Sequence, residues 1–222
     1  MDQKFYDILK HFNLKLTPSI YGNGHINSTF LVTTDLGKRY ILQSINTNVF
    51  KKPDEVMSNI SKVTEHLCAR ESDSRRVMPV IKLRDGGLLF ADGGKTWRML
   101  GFVEGSLCLE APESKEDFYE SAVAFGNFQR LLGDFDASLL YETIPDFHNT
   151  EKRYEAFLQA VENDICGRAK DVREEIEFVN ARKDFCSVLL DANRKGILPL
   201  RVTHNDTKLN NILFDINTGA TL

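Results

Sequence analysis

The stretch His204-Asn205-Asp206-Thr207-Lys208-Leu209-Asn210-Asn211, followed by the apolar residues 212–214, decides the fold of this 222-residue chain. Asp206 and Asn211 are separated by four residues, and His204 stands two positions before the aspartate. An aspartate can accept a proton from a hydroxyl group, and an asparagine can bind a magnesium ion. This spacing on one loop is the one found in phosphoryl-transfer sites. The stretch therefore predicts a catalytic loop.

The residues around the loop support this prediction. Leu198, Leu200 and Val202 alternate with other residues before the loop, and residues 211–215 lead from it to a turn at Asn217-Thr218-Gly219. Alternation and turn residues of this kind predict short strands on both sides of the loop. The alternative interpretation is a polar hairpin that contains a buried histidine.

Composition excludes several classes of function. The net charge is −4 and 42% of the residues are hydrophobic, so the chain can bury a core. No cluster of Lys and Arg offers a surface for nucleic acid. No apolar run is long enough to cross a membrane, and the N-terminus contains no signal-peptide core. We therefore expect a cytoplasmic protein with neither a nucleic-acid partner nor a membrane partner.

Cysteine and histidine spacing predicts no metal centre of its own. Cys68, Cys108, Cys166 and Cys186 are far apart in the sequence and lie in or beside apolar segments. This distribution predicts free thiols in the core of a protein from a reducing compartment. The histidines before residue 204 are equally scattered, with no metal-ligand spacing.

The first hundred residues predict strands around one helix. Pro53 suits a first helical position, and apolar residues at helical spacing follow it up to Cys68. The predicted strands, which are separated by glycine turns, are residues 20–24, 26–33, 39–45, 80–83, 88–90 and 96–103.

Helices are predicted after residue 105. Ser114 and Asp117 resemble a capping box at the start of the first helix. A second helix carries apolar residues from Tyr154 to Ile165, and a third runs from about Val172 to Asn193, before Gly196. The pattern predicts an α+β, two-lobed fold. Residues 1–103 would form a small β-rich lobe with an antiparallel sheet that binds nucleotide, and residues 104–222 a helical lobe with the catalytic loop. A linker near residues 102–106 would join them.

Several stretches allow a family resemblance to be named. They are Tyr21-Gly22-Asn23-Gly24-His25-Ile26-Asn27, Tyr40-Ile41-Leu42-Gln43-Ser44-Ile45-Asn46 with Val49-Phe50, Ile144-Pro145-Asp146-Phe147-His148, and residues 203–211. The chain resembles the protein-kinase-like phosphotransferases that act on small molecules, the group that contains aminoglycoside phosphotransferases and choline kinases. Within this group it resembles the N-acetylhexosamine 1-kinases.

The resemblance implies that ATP and Mg²⁺ are the cofactors and that the partner is a small-molecule sugar. The γ-phosphoryl group of ATP would be transferred to the anomeric hydroxyl of an N-acetylhexosamine. An aminoglycoside or choline kinase is the alternative enzyme. The implied site residues are Asp206 as general base, Asn211 as magnesium ligand, His204 as a brace of the loop, Gly22, Asn23 and Gly24 beside the phosphates, and the linker backbone at Leu100, Phe102 and Val103 against adenine.

The sequence departs from the family pattern at the third strand. Kinases carry a lysine there that binds the α- and β-phosphates, but the matching residue is the neutral Gln43. Lys38 and Arg39 are near in sequence, but alternation along the strand does not determine to which face of the sheet their side chains point. Glu55 and Glu65 are both candidates for the acid that the following helix supplies in kinases, and the sequence does not choose between them.

The end of the sequence suggests a second departure. In the family, the strand after the catalytic loop brings another metal-binding aspartate, and further helices complete the helical lobe. The sequence stops near the start of that strand, so we expect a fragment of a longer kinase, inactive by itself. The alternative is a non-catalytic nucleotide-binding or structural remnant. Uncovered apolar residues at Phe178, Phe185 and Leu189 would let such a chain self-associate.

Overall fold

The computed structural model describes residues 8–12, 16–22 and 26–222, except for the side chains of residues 16 and 17. The chain divides into two compact units. One comprises Met1–Thr143 together with Val202–Leu222, and the other is Ile144–Arg201. The predicted lobes, residues 1–103 and 104–222, follow the change from strand to helix patterns in the sequence and not spatial compactness. They stay a prediction.

An antiparallel sheet dominates the first unit. Its strands are β1 (Leu16–Ile20), β2 (Ser28–Thr34), β3 (Arg39–Ile45), β4 (Val80–Ile81), β5 (Phe90–Asp92) and β6 (Lys95–Gly101). The order is β1-β2-β3-β6-β4, and β5 also pairs with β6. β-branched and aromatic residues favour these strands. Gly37, at φ 79°, turns the chain between β2 and β3. The predicted antiparallel sheet is therefore observed, with strand ends shifted by a few residues.

The two faces of the sheet differ in chemistry. On one face, Val32, Leu42 and Met99 are completely buried. They pack with Trp97 and with the helical segment at residues 8–11. The register places Thr29, Gln43 and Arg98 opposite one another. Because side chains alternate along a strand, these three polar residues lie on the other face.

Two helices of the first unit begin where the sequence predicts. Helix α1 (Pro53–Cys68) has proline in its first turn. Helix α2 (Lys115–Leu131) begins with a capping box. Asp117 N–H donates to Ser114 Oγ at 3.2 Å, and the Asp117 carboxylate accepts from Ser114 N–H at 2.9 Å. These two bonds satisfy backbone donors that the first turn would otherwise leave unpaired.

The second unit is helical, but the third predicted helix is divided into shorter ones. They are α3 (Thr150–Asn163), α4 (Arg173–Asn180) and α5 (Val188–Arg194), with 3₁₀ turns at Ala169–Val172 and Lys183–Phe185. The prediction of one helix from Val172 to Asn193 is wrong. The apolar period continues through Phe185, but Asn180, Asp184 and Ser187 favour helices weakly, and the chain breaks there.

The prediction of a strand before the catalytic loop is also wrong. Residues 198–202 form neither helix nor strand. The N–H groups of Ile197 and Leu198 both donate to the Ala192 carbonyl, at 2.9 and 3.1 Å. Asn193 Nδ2 donates to the Leu198 carbonyl at 2.8 Å. This backbone therefore closes the end of α5 instead of pairing with a strand.

After the loop, the predicted strand at residues 211–215 is reduced to β8 (Phe214–Asp215). It pairs with β7 (Ser106–Leu107), which follows the linker. Asn211 ends a 3₁₀ turn, Leu209–Asn211. The short pairing joins the exit of the catalytic loop directly to the end of the linker.

The cysteines are free, as predicted, but they do not lie in the core. Cys68, Cys108 and Cys166 are exposed, and Cys186 is partly exposed. The cysteines lie at or beyond the ends of regular elements: Cys68 ends α1, Cys108 follows β7, and Cys186 follows the 3₁₀ turn Lys183–Phe185. Among the described residues, no helix is both long enough and apolar enough to span a membrane.

We expect the second unit to promote self-association. Phe178, Phe185 and Leu189 are 57%, 75% and 70% exposed. Replacing Phe185 and Leu189 with serine should shift the chain toward monomer, because apolar surface drives association. Light scattering over a range of protein concentrations measures this. Leu36→Ser, in the turn after β2, is the matched control, since Leu36 is 95% exposed. A wild-type chain that stays monomeric at high concentration contradicts the prediction.

Candidate active site

The catalytic loop is closed by its asparagine. Asn211 Nδ2 donates to the Asp206 backbone carbonyl at 2.8 Å and to Asp206 Oδ2 at 2.9 Å. The 3₁₀ turn that ends at Asn211 carries the side chain back to the aspartate. The amide therefore fixes one carboxylate oxygen and leaves the exposed carboxylate facing solvent, where a substrate hydroxyl can reach it.

His204 braces the same loop from the other side. Its Nδ1 lies 3.1 Å from the Asp206 backbone carbonyl. Its ring packs against Phe125 and Phe128 of α2, with centroids 5.5 and 6.0 Å apart. Asn205, between His204 and Asp206 in the sequence, adopts a left-handed conformation with φ 61°. The loop is thus held to the helix by an aromatic contact, which is consistent with the bracing role that the resemblance implies.

Lys208 is a further member of the site that the sequence analysis missed. Its Nζ lies 3.2 Å from Asp206 Oδ2. The hydrogen bonds from Asn211 and Lys208 hold the pKa of the Asp206 carboxyl below its usual range. The aspartate is therefore ionised at neutral pH and able to accept a proton. The spacing Asp206-x-Lys208 was the sequence signal that could have identified this lysine.

The loop offers one side chain, Asn211, that could coordinate a magnesium ion. Asn211 uses its nitrogen toward Asp206, so its oxygen is directed elsewhere, and amide oxygens suit this hard cation. No group of three acidic, histidine or cysteine side chains that could hold a metal exists among the described residues. Magnesium bound to nucleotide takes most of its ligands from phosphates and water. A single protein ligand therefore suits a metal that is already bound to the phosphates of the nucleotide.

Asp215 follows the loop closely, but its carboxylate already has partners. Arg75 Nη1 donates to Asp215 Oδ2 at 2.5 Å. Oδ1 accepts from the N–H groups of Asn217 and Thr218 at 2.9 and 3.0 Å. These contacts lower the pKa of Asp215 to about 2. Asp215 thus anchors the strand after the loop to the 3₁₀ turn Ser74–Arg76, and it does not face a metal site.

Of the predicted phosphate-binding residues, Gly22 lies two positions after the end of β1, and Gln43 lies within β3. Gly22 has φ 74°, which glycine adopts without strain. Asn23 and Gly24 lie outside the described residues. Gln43 is held at both ends: its Nε2 donates to Thr29 Oγ1 at 3.0 Å, and its Oε1 accepts from Arg98 Nε at 3.0 Å. Gln43 therefore links the sheet rather than presenting a free donor.

β6 ends at Gly101, so the linker begins at Phe102, and Leu100 does not belong to it. Leu100 lies within β6, where it pairs with Ile41 and Val80 on its two sides. Phe102 and Val103 follow the strand, and the Phe102 N–H still donates to the Arg39 carbonyl at 3.4 Å. The Val103 carbonyl accepts from Ser106 Oγ at 2.7 Å. The Phe102 N–H and the Val103 carbonyl are therefore engaged within the protein, and the contact of this backbone with adenine stays a prediction.

Neither candidate for the helix acid reaches Gln43. Glu55 pairs with Lys52 at 2.8 Å, and Glu65 is exposed. The α1 side chain that contacts the polar row is Met57, whose sulfur lies 3.8 Å from Arg98 Nη1. Met57 thus brings a neutral thioether to the polar row.

An antiparallel sheet, and a loop whose asparagine fixes an aspartate, are the features of a phosphotransferase of the protein-kinase-like class. The chain belongs to the APH family, described as the phosphotransferase enzyme family, whose model matches residues 19–221. The α+β fold predicted from the sequence is confirmed.

Solved structures of similar fold include two from named phosphotransferases and one from a named kinase. Spectinomycin phosphotransferase APH(9)-Ia, in complex with ADP and spectinomycin, has a TM-score of 0.65 at 11% identity, covering 100% of this chain and 68% of that one. An aminoglycoside phosphotransferase from Alicyclobacillus acidocaldarius has a TM-score of 0.61 at 13% identity, with 96% and 63% covered. Amicoumacin kinase hAmiN, with AMP-PNP, Ca²⁺ and Ami, has a TM-score of 0.53 at 11% identity, with 80% and 54% covered. At these identities the similarity shows the fold alone.

We expect the Arg75–Asp215 ion pair to stabilise the fold in a defined pH range. The pKa of Asp215 is about 2 in the folded state and 3.8 ordinarily. The folded state therefore binds fewer protons than the unfolded chain between these values. The stabilisation is complete above about pH 4 and is lost as the pH falls toward 2.

Urea unfolding of the wild type and Asp215→Asn at successive pH values measures this effect. The difference in unfolding free energy should be constant above about pH 4 and shrink below it. Asp35→Asn, at an exposed position after β2, is the matched control. A difference that stays constant down to about pH 2 contradicts the assignment to this ion pair.

Proposed function

We propose that this protein transfers the γ-phosphoryl group of ATP to the hydroxyl group of a small molecule, and that the acceptor is the anomeric hydroxyl of an N-acetylhexosamine. The observation that carries the proposal is the closed loop in which Asn211 and Lys208 both contact the Asp206 carboxylate. Membership of the phosphotransferase family supports the reaction class.

In the proposed reaction, the ionised Asp206 accepts the proton of the acceptor hydroxyl as the oxygen attacks phosphorus. Asn211 holds the carboxylate in one orientation, and His204 holds the backbone beneath it. Lys208 places a positive charge beside the carboxylate, where it would also attract a phosphoryl oxygen. Magnesium, when bound with the nucleotide through Asn211, would neutralise phosphate charge. A cytoplasmic location, where ATP is present, belongs to the same proposal.

The choice of acceptor rests on the subgroup stretches, and two of them have a clear structural role. Asn27 Oδ1 accepts from the Asn46 N–H at 3.0 Å, which joins the end of the glycine turn to the end of β3. Asp146, at φ 58°, accepts from Asn149 Nδ2 at 3.0 Å and from Lys152 Nζ at 2.6 Å. Spectinomycin and amicoumacin, which the similar structures contain, make an antibiotic the alternative acceptor.

A panel of acceptors tests this choice. N-acetylglucosamine and N-acetylgalactosamine should be phosphorylated with release of ADP, and each product should lose its reducing end. The methyl glycosides of the same sugars are matched controls, because they have no free anomeric hydroxyl. Phosphorylation of spectinomycin or choline but of neither sugar would replace the proposed acceptor. Phosphorylation of no acceptor by a protein that spans the full length of its structural relatives would contradict the reaction class.

In a protein that spans the full length of its structural relatives, Asp206→Asn should lower the phosphorylation rate at least about a hundredfold, the scale of a lost general base. ATP binding should stay nearly unchanged, because Asp206 contacts the acceptor and not the adenine. Initial rates and nucleotide titrations of the same preparation measure the two effects. Asp184→Asn, at an exposed position of the second unit, is the matched control. A variant that keeps more than half of the wild-type rate removes Asp206 from the role of base.

A further inference from the structure

Arg98, in the middle of β6, is a largely buried cation without an acidic partner. Its Nε donates to Gln43 Oε1 at 3.0 Å, and its Nη1 lies 3.8 Å from the Met57 sulfur. No carboxylate among the described residues forms an ion pair with it. Burial lowers the pKa of the guanidinium to about 10, so it is still charged at neutral pH. A buried charge is normally paired with an opposite charge.

The position of Arg98 relates it to the nucleotide. Thr29, Gln43 and Arg98 form a continuous row across β2, β3 and β6, joined by two hydrogen bonds of 3.0 Å. Thr29 is the second residue of β2, and its carbonyl accepts from the Tyr21 N–H at 3.0 Å. The row therefore begins beside Tyr21, the residue before Gly22, and ends at the cation.

Gln43 stands where the family pattern places a phosphate-binding lysine, and it brings no charge to that place. Its carbonyl oxygen instead accepts from Arg98. A lysine at residue 43 would repel the guanidinium at this distance, whereas an amide oxygen attracts it. In this chain the positive charge therefore lies on β6, one strand away from the β3 position at which the family pattern has its lysine.

We propose that Arg98 binds the α- and β-phosphates of the nucleotide and that Gln43 is the positioning residue that orients it. This inference rests on the proposed function. A guanidinium held through Nε keeps its two terminal nitrogens directed together, which suits two-point binding of phosphate oxygens. Met57, where kinases would have an acid near the cation, cannot compete with phosphate for the charge. The phosphates of the bound nucleotide therefore supply the opposite charge for the Arg98 guanidinium.

Replacement of Arg98 by methionine tests the proposal, because methionine fills similar space without charge. Calorimetric titrations with ADP and with adenosine should show a loss of about ten- to a hundredfold in ADP affinity, the scale of charge-assisted hydrogen bonds, and unchanged adenosine affinity. The apo variant should unfold at the same or a higher temperature, since a charge without a partner has been removed. Lys95→Met is the matched control on the same strand, at an exposed position, and should bind ADP like the wild type.

A second variant separates binding from folding. Adding Gln43→Lys to Arg98→Met returns a cation to the family position and should recover part of the ADP affinity. Equal losses for ADP and adenosine, or a lower unfolding temperature with no recovery in the double variant, would show that Arg98 is only structural and overturn the proposal. Unchanged ADP affinity in Arg98→Met would also overturn it. A wild-type protein that binds neither ADP nor adenosine would instead overturn the proposed function together with this inference.

Discussion

The pairing of β3 with β2 on one side and β6 on the other is the constraint on which the rest of the structure depends. With Val32, Leu42 and Met99 buried on one face, strand alternation leaves the opposite face to the row that ends at Arg98. A shift of one residue in either pairing would bury that row and expose the core. The hydrophobic effect on one face thus determines the position of a charge on the other.

The catalytic loop depends on a different kind of restraint. Few apolar contacts are possible for a polar loop, so hydrogen bonds and ion pairs replace them. Asn211 closes the loop, and the Arg75–Asp215 pair holds its exit. Arg75 lies between α1 and β4, so the segment that follows the helix is tied to the segment that follows the aspartate. The exit of the catalytic loop is therefore held by a residue distant from it in sequence, whereas Asn211 and Lys208 contact Asp206 itself.

The sequence was a good guide wherever short-range chemistry decided the outcome. The capping box at Ser114, the start of α1 at Pro53 and the return of Asn211 to Asp206 each follow from residues within a few positions of one another. The break after Asn180 could not be predicted from apolar period, because the period continues through it. The partner of Gln43 was also hidden. Arg98 is separated from it by 55 positions, and only the strand order brings the two together.

Asn205 lies between the two named residues of the loop pattern, and its backbone is left-handed, with φ 61°. Glycine, asparagine and aspartate adopt this conformation at little cost, whereas β-branched residues are strongly disfavoured in it. The variable position of the His-x-Asp pattern is consequently not free to vary. A search that treats it as any residue accepts many chains whose backbone could not form this loop, and restricting it to three residue types would make the short pattern considerably more selective.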